Sequence, residues 1–191
     1  GLSGSVEFFD GATSLGTVTV NSDTAVLSIS NLNSGNHSIT ATFSGNSNYN
    51  SSTSSTLTQT VNRVSSTTTV SSNNNPSTYG QLVKLKASMT PSGVTGTVEF
   101  FDGATSLGTA SVSGDTASLS TSALTGGAHS IRAKYNGDSN SDSSTSSDIT
   151  QTVNRVSSTT VIVSNNNPST YSLSVTFSAT VSPSTRLHPR R

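Results

Sequence analysis

A long internal repeat constrains this chain more than any single motif does. Residues 4–17 return as residues 96–109 with only Ser5 changed, to Thr97. Phe8 and Phe100 stand 92 positions apart, and the same offset connects His37 with His129 without an insertion. A period of this length is too long for a solenoid turn or a propeller blade. The repeat therefore predicts a whole small domain present in more than one copy.

The repeat also divides the chain. Two Asn-Arg pairs, one period apart, give the segments 1–62, 63–154 and 155–191. Only 63–154 spans a full period, so we predict one complete module there. The first segment lacks the part that forms the first two strands, and the last segment is the truncated start of a third module. Its tail, 185–191, departs from the repeat, as a truncation or a shifted reading frame would produce.

Alternation of apolar and polar residues predicts seven short strands in the complete module. In the second of them, Val83, Leu85 and Ala87 alternate with polar neighbours, which predicts one buried face. Turn signals such as Asp102-Gly103 separate the strands at the spacing of a β-sandwich. The predicted strands are 67–72, 82–90, 96–101, 107–113, 116–121, 128–135 and 148–153. We predict an all-β fold, because no segment has a capped helical stripe.

Three motifs in fixed order carry a resemblance to a known family. They are Gly-Thr-Val-Glu-Phe-Phe-Asp-Gly at 96–103, the strand and turn at 128–138, and Ile-Thr-Gln-Thr-Val at 149–153. Together they resemble the bacterial immunoglobulin-like (Big-type) repeat domains of large secreted and cell-surface proteins, over nearly the whole chain. The resemblance implies a seven-stranded immunoglobulin-like Greek-key sandwich that serves as a stalk, spacer or adhesive module. The sequence repeats this sandwich in tandem with a period of 92. The resemblance also implies an extracellular or cell-surface location.

Composition argues against several classes of partner. Nine basic and nine acidic residues give a formal net charge of zero, which removes the electrostatic argument for nucleic acid and for an anionic membrane surface. No apolar run is long enough for a membrane span. The absence of cysteine from the sequence excludes disulfides, thiolate metal sites and a cysteine nucleophile.

The histidines raise the question of catalysis, because serines and aspartates abound. His37 and His129 occupy equivalent positions, and strand parity places His129 on the side of Ile131, at the rim of a strand. We interpret both as structural, since neither has a positioned base partner in the sequence pattern and catalytic constellations are seldom copied into every module. We predict no catalytic residue and no enzyme activity.

The loop at 137–142 offers oxygen ligands of the kind that calcium prefers. Asp138 and Asp142 are replaced by Asn46 and Asn50 in the first copy, so charge is not maintained between copies. Because Asn, Gly and Asp are ordinary turn formers, a β-turn is the favoured interpretation. Calcium stays open as an alternative, and the sequence predicts neither a metal nor a cofactor.

A Lys–Asn isopeptide bond is a third chemical alternative. Lys84, Lys86, Glu99 and Asn154 supply the residue types that such a bond requires. Parity opposes it, because both lysines lie opposite Val83 and should face solvent, whereas the reaction needs a desolvated amine with a lowered pKa.

The predicted function is a non-catalytic spacer or adhesion module. Few residues connect one module to the next, so a semi-rigid array is expected, with neighbouring repeats, surface glycans, or host and matrix proteins as partners. A carbohydrate-binding module is the alternative, and Phe101 and Tyr49 are its candidate aromatics. The partial modules 1–62 and 155–184 are complementary halves, which predicts head-to-tail self-association by strand addition.

Overall fold

The structure is a computed structural model that describes residues 2–184, and all regular secondary structure in this range is β-strand. The predicted divergent tail, 185–191, lies outside the described residues. The chain forms two compact units, residues 2–66 with 137–143 and residues 67–136 with 144–184. Within residues 2–184 there is no helix long and apolar enough to cross a membrane.

The first unit contains a single sheet. Its strands are β1 (Ser5–Asp10), β2 (Thr13–Thr19), β3 (Gly35–Phe43), β4 (Ser52–Thr53) and β5 (Leu57–Val61). They lie in the order β2-β1-β3-β4, and β5 also pairs with β3. No residue from 2 to 66 is fully buried, because this sheet has no second sheet packed on its apolar face.

The second unit contains a complete sandwich. The strands of the sandwich are β6 (Thr67–Ser72), β7 (Ser77–Thr78), β8 (Val83–Thr90), β9 (Thr97–Asp102), β10 (Thr105–Ser111), β11 (Thr116–Thr121), β12 (Gly127–Tyr135), β13 (Ser144–Thr145) and β14 (Ile149–Asn154). The same unit also contains a separate hairpin, β15 (Ser158–Ser164) and β16 (Phe177–Pro183). One sheet has the order β10-β9-β12-β14-β7, with β13 on β12, and the other has the order β11-β8-β6. The seven longer strands from β6 to β14 correspond to the seven predicted ones, so the all-β, immunoglobulin-like fold is confirmed.

Strand ends differ from the prediction where hairpins tighten. Strand β10 begins at Thr105 rather than at Leu107, because Thr105 pairs with Asp102 directly across the turn and a β-bulge follows between Ser106 and Gly108. Gly103 makes this turn with a φ of 56°, which glycine adopts without strain. The two-residue strands β7 and β13 are too short to leave an alternating pattern in the sequence.

The core of the sandwich follows from strand alternation. Val83, Leu85, Ala87 and Met89 of β8 are buried, while Lys84 and Lys86 between them are exposed. From the facing sheet, Val98, Phe100, Ile131, Ala133 and Tyr135 complete the same cluster. Each large apolar side chain that is fully buried stabilises the fold by about 1.5–3 kcal/mol.

A buried amide joins β14 to the segment that follows β6. The Gln151 side chain is 0% exposed; its Oε1 accepts a bond of 2.6 Å from Ser72 Oγ, and its Nε2 donates to Asn74 O at 2.9 Å and Ser77 Oγ at 3.2 Å. Asn75 adds two bonds to the backbone of β14. Buried polar groups with satisfied bonds stabilise and specify a core.

Strands β15 and β16 form a two-stranded sheet in the same register as β6 and β8. Thr159 pairs with Ser182 as Thr67 pairs with Thr90, and Ser164 pairs with Phe177 as Ser72 pairs with Leu85. No residue of this hairpin is fully buried.

Candidate functional site

A histidine–aspartate pair occurs once in each of the two larger sheets. Strands β9 and β12 pair antiparallel with Asp102 opposite Ile131, so Asp102 reaches His129 on the same side of β12. His129 Nδ1 lies 2.6 Å from Asp102 Oδ2, and His129 Nε2 lies 2.8 Å from Thr125 O. The His129 side chain is 10% exposed. The sheet geometry thus gives this histidine two oxygen partners at the rim of the core.

The first sheet reproduces the arrangement. His37 Nδ1 lies 2.6 Å from Asp10 Oδ2, and His37 Nε2 lies 2.8 Å from Asn33 O. In addition, the Ser38 amide donates to Asp10 Oδ1 at 3.0 Å. The two copies agree in every bond of the histidine ring, although Asn33 stands where the second copy has Thr125. The loop residue is free to differ because it contributes only its backbone carbonyl.

Both ring nitrogens lie next to oxygen acceptors, and only the protonated imidazole can donate to both at once, so this arrangement favours the cationic form. The hydrogen bond to Asp10 raises the pKa of His37, and the bond to the Asn33 carbonyl raises it further. Correspondingly, the bond to His37 lowers the pKa of Asp10. Burial lowers the pKa of His129, but the bonds to Thr125 and Asp102 outweigh it and the net shift is upward.

The geometry makes this pair a structural clamp. A general base needs a free ring nitrogen directed at the proton that it removes, and here Nε2 is committed to a backbone carbonyl in both copies. The clamp instead ties the loop before β3 or β12 to the end of β1 or β9. The expectation that His129 has no positioned partner was wrong, because the partner is Asp102. The signal was present in the sequence, since aspartate and histidine are 27 residues apart in both copies.

Asp138 uses its side chain within its own loop. Asp138 Oδ1 accepts bonds from the Asn140 and Ser141 amides at 2.9 and 2.7 Å. Asn46 Oδ1 makes the equivalent bonds to the Asn48 and Tyr49 amides at 2.8 and 2.9 Å. An amide oxygen serves this turn as well as a carboxylate does. Among residues 2–184, no group of three or more His, Cys, Asp or Glu side chains is placed to hold a metal.

The residues considered for an isopeptide bond are not brought together. Lys84 and Lys86 are exposed on β8, opposite Ser120 and Ser118 of β11. Glu99 lies in the other sheet, on the side of β9 away from the core. Its carboxylate accepts a bond of 2.6 Å from Ser106 Oγ.

The candidate aromatics for carbohydrate binding have different surroundings. Phe101 is half-buried, and the Arg132 guanidinium lies over its ring at 5.0 Å from the centroid, a cation–π contact that covers the ring face. The equivalent Phe9 pairs across the sheet with Thr40 instead. Tyr49 is 55% exposed in a loop.

Comparison with known proteins gives one family match. The family described as bacterial Ig-like domain (group 3) matches residues 1–62 and 69–154. Among solved structures, fibronectin(III)-like modules of Clostridium thermocellum CbhA are 18% identical, with 80% of this chain and 79% of that chain covered and a TM-score of 0.40. No curated protein matches this chain.

Proposed function

This chain belongs to the bacterial Ig-like domain family, group 3, and from that premise we propose that its modules are non-catalytic spacers with an adhesive role, on a cell surface or in a secreted protein. The observation that carries the proposal is where the polar side chains at equivalent positions of the two copies make their hydrogen bonds. The His37–Asp10 and His129–Asp102 pairs, and the loop side chains of Asn46 and Asp138, all bond to other groups of the protein.

Short connectors support a spacer. Only residues 155–157 separate β14 from β15. In the first unit, the connector 62–66 is bonded to the loop 137–143: the Val64 amide donates to Asn140 O at 2.8 Å, and Val64 O accepts from the Asp142 amide at 2.9 Å. Ser66 Oγ donates to Asp142 O at 2.7 Å. A connector bonded in this way has few free dihedral angles, which is what a spacer of defined length requires.

Spin labels test the spacer directly, because the chain has no native cysteine. Thr17 and Thr109 are equivalent exposed positions one period apart. With Thr17→Cys and Thr109→Cys labelled, pulsed electron spin resonance should give one narrow distance peak. Two glycines inserted after Asn62 should broaden it. A broad distribution in the unmodified connector would contradict the spacer proposal.

Carbohydrate binding is the second candidate function. It can be tested because different side chains lie next to the rings of Phe9 and Phe101. Exposed aromatic faces bind sugar rings, and only Phe101 of this pair has a guanidinium over its ring. A glycan array probed with the chain and with Phe9→Ala and Phe101→Ala variants distinguishes the candidates. Reproducible binding that either substitution abolishes would replace the spacer proposal.

A further inference from the structure

We propose that Asn33 and Ser34 form a docking site for the loop 137–143, and that position 34 determines the specificity of this docking. The loop, here called the docking loop, belongs to the second copy of the repeat in the sequence and to the first unit in the structure. The partner of the site is therefore a turn of the following repeat. This inference goes beyond the spacer function and does not depend on it.

The contact is made by hydrogen bonds from both segments. Asn140 Oδ1 accepts a bond of 2.9 Å from the Ser34 amide, and Asn140 Nδ2 donates to Asn33 Oδ1 at 3.4 Å. The Ser34 hydroxyl donates to the carbonyl oxygen of Ser139. Two of these bonds use the side chains of Asn33 and Ser34, so the contact depends on the sequence at these positions.

The docking loop is held in shape by groups of its own. Asp138 Oδ1 accepts bonds from the Asn140 and Ser141 amides, and Gly137 turns the chain with a φ of 82°. A Cβ on Gly137 would lie 2.9 Å from Ser141 O, so only glycine fits there. Gly45 has a φ of 77° in the same turn of the first copy. A preformed loop loses little conformational entropy when it docks.

The His37 clamp holds the other side of the contact. His37 Nδ1 lies 2.6 Å from Asp10 Oδ2, and His37 Nε2 lies 2.8 Å from Asn33 O. The Asn33 carbonyl and the Ser34 N–H belong to the same planar peptide group. Fixing the carbonyl therefore also fixes the direction of the N–H that donates to Asn140. The docking site is thus preformed, like the loop that it binds.

The connector cannot supply the specificity, because it is the same after both copies. Residues 58–68 are repeated without a change as residues 150–160. Val64 bonds to the docking loop through its backbone N–H and C=O, groups that every residue except proline has. The copies differ at residues 33–34, which are Asn-Ser, whereas residues 125–126 are Thr-Gly. Specificity must therefore come from this pair.

The second copy shows why position 34 is decisive. A Cβ added to Gly126 would lie 2.6 Å from Cγ of Arg155, which is closer than van der Waals contact allows. A serine at this position would have to displace Arg155. For the same reason, Arg63 cannot pack over Ser34 as Arg155 packs over Gly126. Serine at this position thus accompanies a bonded docking loop, and glycine accompanies a packed arginine.

Exchange of the Ser34 amide hydrogen, measured by nuclear magnetic resonance, tests the docking directly, because its acceptor is the Asn140 side chain. Asn140→Ala should accelerate this exchange about 5–10-fold, as expected when one exposed hydrogen bond is lost. Asn48→Ala, the equivalent change in the first copy, is the matched control and should leave the rate unchanged. An unchanged rate in Asn140→Ala would overturn the proposal, as would equal acceleration by both variants.

Exchanging the residue pair between copies tests the specificity. Asn33→Thr with Ser34→Gly gives the first copy the sequence of the second. The Asp142 amide, which donates to the connector, should then exchange about 5-fold faster, because the connector alone holds the docking loop. Thr125→Asn with Gly126→Ser is the matched control and should leave the Asp142 amide unchanged. Full protection of Asp142 in the first variant would show that residues 33–34 do not determine docking.

A further pair of variants tests the packing of the arginine. Gly126→Ser should lower the midpoint of thermal unfolding, because the serine Cβ meets Arg155. Combining it with Arg155→Ala should remove most of this loss, measured against Arg155→Ala alone. An equal loss with and without the arginine would contradict the role assigned to position 34.

Discussion

The first sheet and the equivalent part of the complete sandwich have closely related sequences and very different interiors. Phe100, Ile131 and Tyr135 are 0% exposed in the sandwich, whereas the equivalent residues of the first sheet are only half-buried. Residues 24–29 form no strand, although the equivalent β11 is a strand of six residues. Strand β11 pairs with β8, and the first unit has no counterpart of β8. Secondary structure here depends on a partner strand more than on local sequence.

The largest expected effect is a difference in lost stability between alanine variants of two equivalent phenylalanines. Phe100→Ala should destabilise the sandwich by about 3–5 kcal/mol, because it leaves a cavity in a closed core. Phe8→Ala should cost about 1 kcal/mol, because part of that ring is already in contact with water. Hydrogen exchange of β9 and of β1, measured by mass spectrometry in the intact chain, reports each region separately. Equal losses of stability at Phe8 and Phe100 would contradict the claim that only the sandwich has a closed core.

The next largest effect on stability is expected at the buried side-chain amide of Gln151. Gln151→Ala should cost about 1–3 kcal/mol, because it removes the amide to which the Ser72 and Ser77 hydroxyls are hydrogen-bonded. Gln59→Ala should have almost no effect at concentrations where the chain is monomeric, since Gln59 is exposed. Exchange rates of β14 and β5 measure the two losses. A comparable loss in β5 would contradict the exposure of Gln59.

The stability that the two histidine clamps contribute should depend on pH in the same way in the first sheet and in the sandwich. This contribution does not depend on whether the core is closed. The pKa values of His37 and His129 are raised, so their stabilisation is complete below about pH 6.5 and is lost as pH rises through the higher folded value. The pKa of Asp10 is lowered, so its contribution is present above about pH 3.9 and is lost as pH falls through the folded value.

Nuclear magnetic resonance titration of the histidine rings measures these values. Both midpoints should lie above the ordinary histidine value, and Asp102→Asn should lower the midpoint of His129 while leaving that of His37 unchanged. A shift of both midpoints, or of neither, would contradict the paired assignment.

The smallest effect is expected in the loop at Asp138. Asp138→Asn should change stability by less than about 0.5 kcal/mol, because Asn46 makes the same two bonds in the other copy. Asp138→Ala removes the acceptor and should cost about 1 kcal/mol. Thermal unfolding with and without added calcium completes the test. A large loss in the asparagine variant, or stabilisation by calcium, would restore the metal interpretation.

Strand positions and the buried faces of the sandwich could be predicted from alternation, because burial on one side of a strand leaves a pattern of period two. The alternation at Val83, Lys84 and Leu85 predicted the core side of β8 correctly. The link between His129 and Asp102 could not be predicted in this way, because it depends on the pairing of β9 with β12. The assignment of domains at 1–62, 63–154 and 155–191 stays a prediction of the repeat.

Hydrogen exchange of β3 and β12 in one experiment tests the central claim most directly, namely that the sheet β11-β8-β6 is what closes the core. The two strands have closely related sequences and the same histidine clamp. At low concentration, after correction for intrinsic rates, amides of β12 should exchange at least ~100-fold more slowly than those of β3. Equal protection of the two strands would contradict the account.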